Sequence, residues 1–303
     1  MNRLSILRTL TNLHVGTGQS VSTIDLPIAR ERATNWPVVP GSSIKRVLRD
    51  AARTDWLEQQ GKARNEVSEA DEAIKTMFGS TKQGSPEAGN LIVSDQRIVL
   101  FPVRSFNGVF AYATCAAALE RVRELACACG LILPSTSPLE RKQSDPPRCI
   151  TLDVSVNRLD NDRKILLEDI DLEADKPHPN EVTTLTAYIK VLSAGSGIPV
   201  EALEKRLVIL DGTTFTYLSE TATDTMTHVT LNYETRTAEG GMLRMEESVP
   251  PDAVFAGILM IQRGFLDTSK TGRYLDSLND TYIQIGGKSS TGSGVTRFGV
   301  VNP

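Results

Sequence analysis

The sequence predicts an α+β protein, and three observations carry that prediction. Strand-like and helix-like segments both occur along the chain of 303 residues. They do not alternate strictly, as they would in a doubly wound parallel sheet. The hydrophobic content of 40% suffices for one large domain or two intertwined ones. Split β-α-β units of the ferredoxin or RRM kind describe this pattern best.

Period-two alternation and buried apolar runs mark the strands, whereas apolar residues at helical spacing and glycine stops mark the helices. Ser42 or Ser43 is expected to cap the first helix, and Gly79 to end the second. The extended hairpin should turn near Glu239–Gly241. In chain order the predicted elements are a strand at 4–15, a helix from about 43, a helix at 68–79, a strand at 91–103, a helix at 112–130, strands at 151–156 and 164–174, helices at 184–195 and 199–207, a strand at 207–212, a hairpin at 228–249, a strand at 255–264, a helix at 267–280 and a strand at 295–301.

The charges are unevenly distributed. The net charge of −4 argues mildly against nucleic acid as a ligand, but basic residues crowd between positions 30 and 64. Lys45 and Arg46 stand in the first turn of a predicted helix, and Arg49 follows closely. The helix dipole favours acidic residues at that end. We therefore expect an anion from outside the chain to bind there.

A glycine-rich segment near the C-terminus, IGGKSSTGSGV, has two interpretations. Gly286, Gly287, Gly292 and Gly294 could form a flexible turn, or a loop whose bare backbone approaches a phosphate closely. It is not a Walker A loop, because Tyr282 stands where the first glycine belongs and a strand follows where a helix is required. The sequence thus gives little support to an ATP site.

Two candidate catalytic residues lie in or beside the long first loop. Asp25 is either a turn residue or, beside phosphate-binding cations, a ligand for a hard divalent metal or a group that orients a reacting oxygen. His14 is either a structural imidazole or a general acid or base. An aromatic content of 5%, without the RRM signature, predicts recognition through phosphates rather than bases.

Composition also bears on location. The four cysteines form no C-x-x-C pair, so zinc is not expected, and their pattern fits a reducing cytosol. The N-terminal segment lacks the apolar core of a signal peptide, and the longest apolar run is too short to span a bilayer. We expect a cytoplasmic protein with no membrane contact.

Five stretches together resemble a known family. They are HVGTGQSVSTIDLPIARE, PVVPGSSIKRVLRD, FPVRSFNGVFAYATCAAALERV, TAEGGMLRMEESVPPD and IGGKSSTGSGV. Their content and order are similar to those of the repeated backbone subunit of type III-B CRISPR effector (Cmr) complexes, within the RAMP superfamily. The similarity extends from Leu13 to Val295 and is specific in combination, although each motif is weak alone.

The resemblance implies a single RAMP-type domain over residues 1–303. It would have an RRM-like core, a helical insertion at about 43–80 and a protruding thumb hairpin at about 224–248 that kinks the guide–target duplex. Copies would stack head to tail along one guide RNA (crRNA), together with other Cmr subunits. Target RNA would be cut at the kinks by attack of a 2′-OH, and base pairing would supply sequence specificity.

The resemblance also assigns roles to residues of this sequence. Asp25 would act in catalysis and hold a divalent metal, Mg²⁺ or Mn²⁺, with His14 as a second catalytic candidate. The predicted RNA-binding residues are Ser42, Ser43, Lys45, Arg46, Arg49, Gly286, Gly287, Lys288, Gly292 and Gly294. Two departures affect single RNA contacts: Arg46 stands where many relatives have glycine, and Ser293 where relatives often have a basic residue.

Three hypotheses stay open from sequence. The chain is a guide-binding backbone subunit that cleaves RNA, the same scaffold without cutting, or a metal-dependent nucleotide enzyme with a phosphate loop. The first two predict co-purifying RNA and binding that depends steeply on salt. The third predicts a closed pocket that binds mononucleotides.

Overall fold

Fourteen strands and seven helices make up the described part of the chain. The computed structural model describes residues 2–18, 24–59, 61, 72–80, 87–159, 163–231, 235–236, 238–262 and 269–302. The strands are β1 Asn2–Thr9, β2 Val38–Val39, β3 Leu91–Val93, β4 Gln96–Arg104, β5 Phe110–Cys115, β6 Arg148–Ile150, β7 Lys164–Leu167, β8 Ile170–Asp175, β9 Leu207–Leu210, β10 Asp224–Leu231, β11 Ala238–Ser248, β12 Val254–Ile261, β13 Thr281–Gln284 and β14 Val295–Val301. The helices are α1 Gly41–Gln59, α2 Glu72–Phe78, α3 Ala116–Ala128, α4 Pro179–Ser196, α5 Val200–Arg206, α6 Gly212–Thr221 and α7 Ser269–Ser277.

One large mixed sheet organises the fold. Its order is β13-β14-β1-β12-β4-β5-β9-β6-β8-β7, with β2 paired to β4 and β3 paired to β12. Neighbours are antiparallel except for the β5–β9 and β6–β8 pairs, which are parallel. The predicted α+β class is confirmed, because a doubly wound fold would need a mainly parallel sheet. Strands β10 and β11 form a separate two-stranded sheet, called here the hairpin.

Helices cover both faces of the large sheet. One core contains Ile44 and Leu48 of α1, together with side chains of α2, α6 and α7. The other contains Leu119 of α3, Tyr188 of α4 and Leu203 of α5. Alternate residues of one strand enter different cores, since successive side chains point to opposite faces. None of the described helices is long and apolar enough to cross a membrane.

The first helix begins differently from the prediction. Ser42 and Ser43 do not cap it, because α1 already begins at Gly41 and both serines lie inside its first turn. The Gly41 N–H donates instead to Asp95 Oδ1, at 2.8 Å. Asp95 stands between β3 and β4, so the single strand predicted at 91–103 was wrong. The acidic residue expected in the first turn of α1 is supplied from a distant part of the chain.

Other boundaries also differ. Residues 112–115 belong to β5 rather than to the following helix, and residues 151–156 are not a strand. The segment predicted as one strand at 164–174 folds back on itself as β7 and β8, with Glu168 at a φ of 51° in the turn. The first strand ends at Thr9, six residues earlier than predicted.

The hairpin covers the expected part of the chain with a different turn. Strands β10 and β11 lie within the predicted bounds of 224–248. Leu231 pairs with Ala238, and residues 239–241 belong to β11, so the turn predicted at Glu239–Gly241 was wrong. Helix α6 and strand β13 were not predicted. The start of the second predicted helix, residues 68–71, lies outside the described residues.

Candidate functional site

Asp25 is held against the base of the hairpin. Its Oδ2 accepts the backbone N–H of Met245 at 2.8 Å. The next residue, Leu26, pairs in parallel with Glu246 and exchanges backbone hydrogen bonds with Met245 and Glu247. Leu26 thus forms an isolated parallel bridge to β11. The candidate carboxylate, one residue before it, is half-buried.

His14 meets the same strand two residues further along. Its Nδ1 lies 2.7 Å from the backbone oxygen of Glu247. The ring is half-buried. Strand β11 therefore brings together two residues that are eleven positions apart in sequence, and both predicted catalytic residues lie at one end of the hairpin.

The glycine-rich loop packs against the segment that carries His14. The Gly287 N–H donates to the His14 backbone oxygen at 3.2 Å, and Gly294 N–H donates to Asn12 O at 2.8 Å. Gly286 has a φ of 84°, and a Cβ there would overlap the His14 carbonyl. Gly287 and Gly292 are exposed, and a Cβ added at either position would meet no atom within 4 Å. The loop presents bare backbone next to the catalytic candidates.

Lys288 connects this loop to the hairpin. Its Nζ lies 2.7 Å from Glu246 Oε2 and 2.8 Å from His228 Nε2. Glu246 is buried, His228 is half-buried and Lys288 is exposed. An RNA phosphate that approaches Lys288 would therefore share the ammonium with an existing carboxylate partner.

The cations of α1 are engaged to different degrees. Lys45 Nζ donates to Leu91 O at 2.8 Å, and Arg49 donates to Gly79 O at 2.6 Å. Burial, assisted by the nearby charge of Arg49, lowers the pKa of Lys45. Arg46 is exposed, and its side chain makes no hydrogen bond or ion pair within the described residues. Helix α1 packs on β13, the strand that leads into the glycine-rich loop.

The two serines of the first turn are placed differently. Ser42 is exposed, and Ser43 is half-buried. Helix α1 thus packs on the strand that precedes the glycine-rich loop, but no hydrogen bond or ion pair joins their predicted RNA-binding side chains in the described part of the chain.

A divalent metal fits this site in one way only. The described residues contain no group of three or more His, Cys, Asp or Glu side chains that could hold a metal ion. One oxygen of Asp25 is used by Met245, and the other has no hydrogen bond among those residues. Mg²⁺ is commonly bound by one or two carboxylates together with substrate phosphates. A metal that arrives with RNA fits Asp25, whereas a preformed cage of described protein ligands does not.

Sequence reasoning missed the ion pair behind these residues. Arg30 begins the basic stretch between positions 30 and 64, yet its Nη2 lies 2.5 Å from Glu247 Oε1 and it also donates to the carbonyls of Asn35 and Ser219. Glu247 is 3% exposed. Two successive acids, Glu246 and Glu247, inside a predicted strand were the available signal, since one of them must point inward.

Comparisons with known proteins agree with this architecture. A model of the RAMP superfamily matches residues 6–297. The chain belongs to the RAMP superfamily. It is 30% identical over 297 residues to the CRISPR system Cmr endoribonuclease Cmr4 of Pyrococcus furiosus, an alignment covering 96% of this chain and 92% of that protein. The predicted kinship with type III-B backbone subunits is confirmed.

Solved RAMP structures show the same fold. The crystal structure of oligomeric Cmr4 from Pyrococcus furiosus superposes with a TM-score of 0.69 at 26% identity, covering 99% of this chain and 97% of that one. A chain of the type III-B Cmr-beta complex bound to cognate target RNA, seen by cryo-EM, gives a TM-score of 0.74 at 18% identity, with 99% and 97% covered. The second likeness shows the fold alone.

Proposed function

We propose that the chain is a repeated backbone subunit of an RNA-guided antiviral effector, which binds guide RNA and cuts the complementary target RNA at regular intervals. The observation that carries this proposal is the meeting of Asp25, His14 and the exposed glycine backbone at the base of one hairpin. The similarity to the Cmr endoribonuclease of Pyrococcus furiosus supports the choice of reaction.

Guide RNA would lie across α1 and the glycine-rich loop. Arg46, Ser42 and the glycine backbone at Gly287 and Gly292 are exposed there, and Lys45, Ser43 and Arg49 border them. Contacts to phosphates position a nucleic acid without reading its sequence. Specificity then comes from pairing between guide and target.

The hairpin would act as the thumb that separates target nucleotides. Met226, Val229 and Leu243 are exposed apolar side chains on its strands, and Val229 lies directly opposite Leu243. Apolar wedges can insert between stacked bases and kink a duplex. A nucleotide splayed at the kink can reach the in-line geometry that a stacked strand forbids.

The cleavage step would be a transesterification. The 2′-oxygen forms a bond to the adjacent phosphorus while the bond from phosphorus to the 5′-oxygen breaks, leaving a 2′,3′-cyclic phosphate and a 5′-OH. His14 would accept the 2′-OH proton, and the departing 5′-oxygen would take a proton from the site or from water. A divalent metal held by Asp25 and a target phosphate would neutralise developing negative charge.

The proposed function also predicts the partners of the chain and its location in the cell. Further copies of the chain would stack along the guide through a heterologous interface that does not close. Other Cmr subunits would complete the complex. All four cysteines are free, which fits assembly in the reducing cytoplasm.

The assembled complex, incubated with matched target RNA and Mg²⁺, provides the test. We expect products at regular spacing that end in a cyclic phosphate. Chelation of the metal should stop cutting and leave target binding intact. A single 2′-deoxy nucleotide at one mapped site should block cutting there and nowhere else. Cutting that persists at the deoxy site would contradict the 2′-OH mechanism.

A scaffold that binds guide RNA without cutting is the second candidate. It is favoured by the use of one Asp25 oxygen for the Met245 N–H, which gives this carboxylate a structural task as well. Co-purifying guide with no Mg²⁺-dependent products from matched target would select this alternative.

A further inference from the structure

Four groups converge on the carboxylate and backbone oxygen of Glu247. Its Oε1 accepts from the Arg30 guanidinium at 2.5 Å and from the Thr223 hydroxyl at 3.0 Å, and its Oε2 accepts the Ile28 N–H at 3.1 Å. The fourth group, His14, meets the backbone oxygen. The side chain of Glu247 is only 4% exposed, so it does not face a substrate. Because Arg30 and Ile28 belong to the segment that carries Asp25, the carboxylate fastens that segment to β11.

The backbone of Glu247 fixes the other catalytic candidate. Its oxygen lies 2.7 Å from His14 Nδ1. A carbonyl oxygen can only accept a hydrogen bond, so Nδ1 must carry a proton. In the neutral ring Nε2 is then unprotonated and can accept a proton. The contact selects the tautomer that a general base at Nε2 requires.

Gly16 keeps the neighbourhood of that nitrogen open. A Cβ at position 16 would lie 2.5 Å from His14 Nε2. Gly16 pairs with Ile28, the residue whose N–H Glu247 accepts. Any side chain at position 16 would therefore push the imidazole away from the Glu247 carbonyl or cover Nε2.

We propose that Glu247 and Gly16 are positioning residues of the cleavage site. Glu247 aligns the Asp25 segment through its carboxylate and the His14 tautomer through its carbonyl, while Gly16 leaves Nε2 accessible. This inference rests on the proposed function. Neither residue touches the reacting atoms, so their removal should affect cutting and leave RNA binding intact.

The chain offers a matched control for Glu247. Glu181 is 4% exposed, its Oε1 lies 2.7 Å from the Arg141 guanidinium, and its Oε2 accepts the His178 N–H at 2.7 Å. It belongs to α4, which packs in the core on the opposite face of the large sheet from α1. Glu247→Gln and Glu181→Gln each remove one charge from a buried ion pair while keeping an oxygen for the N–H. Their structural costs should be similar.

The experiment compares the two variants in the assembled complex. We expect both to lower the melting temperature by similar amounts and to bind guide and target as the unmodified complex does. The single-turnover cutting rate should fall about tenfold to 100-fold for Glu247→Gln and stay within about twofold for Glu181→Gln, since small displacements in a site have effects of this order. Equal rates in the two variants would overturn the role of Glu247.

Gly16→Ala tests the part of the proposal that concerns His14. Gly272→Ala is its control, because a Cβ at position 272 meets no atom within 4 Å. The chain has three histidines, so the His14 signals can be assigned in ¹⁵N spectra of the full-length protein. We expect the Nδ1–H tautomer in the unmodified chain and in Gly272→Ala, and its loss in Gly16→Ala. An Nε2–H tautomer in the unmodified chain would overturn the proposal.

These outcomes separate the inference from the function on which it depends. If the unmodified complex does not cut matched RNA, the proposed function fails, whatever the variants do. If it cuts and Glu247→Gln cuts equally well, only the positioning role fails. The tautomer measurement needs no activity at all.

Discussion

The hairpin base and the start of α1 both carry charged side chains, and they use them differently. At the hairpin base, the buried Glu247 forms an ion pair with the half-buried Arg30. At α1, Lys45 and Arg49 bind backbone carbonyls of adjacent segments, and Arg46 is exposed. A cluster of cations in a sequence therefore mixes structural and ligand-facing members. The structure separates them by what each cation already touches.

Reversing the charge of both engaged cations of α1 should have the largest effect. Lys45→Glu with Arg49→Glu places carboxylates against the carbonyls of Leu91 and Gly79 and removes two positive charges from the proposed guide path. We expect a loss of ~2–4 kcal/mol in unfolding free energy and failure to assemble on guide RNA. Chemical denaturation and a gel-shift assay measure the two effects. Normal filaments on guide RNA would show that Lys45 and Arg49 do not bind the guide.

Removal of the Asp95 carboxylate at the start of α1 should have an intermediate effect, and that effect should be confined to stability. Asp95→Ala takes the acceptor away from the Gly41 N–H. Loss of a helix N-cap costs about 0.5–2 kcal/mol. Guide affinity should not fall, because the substitution removes a negative charge near the proposed phosphate path. Denaturation and filter binding test this, and a weakened guide affinity with unchanged stability would contradict it.

Removal of the exposed Arg46 side chain should have the smallest effect, and that effect should be on RNA binding alone. Arg46→Ala should lower the slope of log affinity against log salt concentration by ~0.7, the share of one phosphate contact on a single strand. Its unfolding free energy should stay within ~0.5 kcal/mol of the unmodified chain. Lys190→Ala, exposed on α4 at the other face of the sheet, is the control. An identical salt slope for both variants would remove Arg46 from the guide path.

Local patterns sufficed for much of the fold. Periodicity located α1, α4, α5, β9 and β12, and glycine correctly ended α2 at Gly79, where φ is 90°. The polar residues 94–97 were a local signal for the break at Asp95, whereas its hydrogen bond to Gly41, 54 positions away in sequence, was hidden. The start of α3 at Ala116 was equally hidden, since Cys115 provides no side-chain cap.

The sequence predicted which residues form the candidate site but not how the fold brings them together. Asp25, His14 and the glycine-rich loop were singled out by residue type and by resemblance, and their roles stay predictions. What the sequence could not reveal is that β11 joins Asp25 to His14 through backbone groups of Met245 and Glu247, and that the loop is bonded to the backbone oxygens of Asn12 and His14. Backbone N–H and C=O groups are alike in nearly all residue types, so no residue pattern predicts these contacts.

The central claim is that the carboxylate of Asp25 serves the cutting of RNA at the base of the hairpin. Asp25→Asn keeps an oxygen for the Met245 N–H and removes the charge, so the fold and both RNA-binding steps should survive. The most direct measurement is single-turnover cutting of matched target RNA by the variant complex in Mg²⁺, alongside its guide and target affinities. We predict a loss of about 100-fold or more in rate with unchanged affinities. Cutting at the unmodified rate would contradict the account.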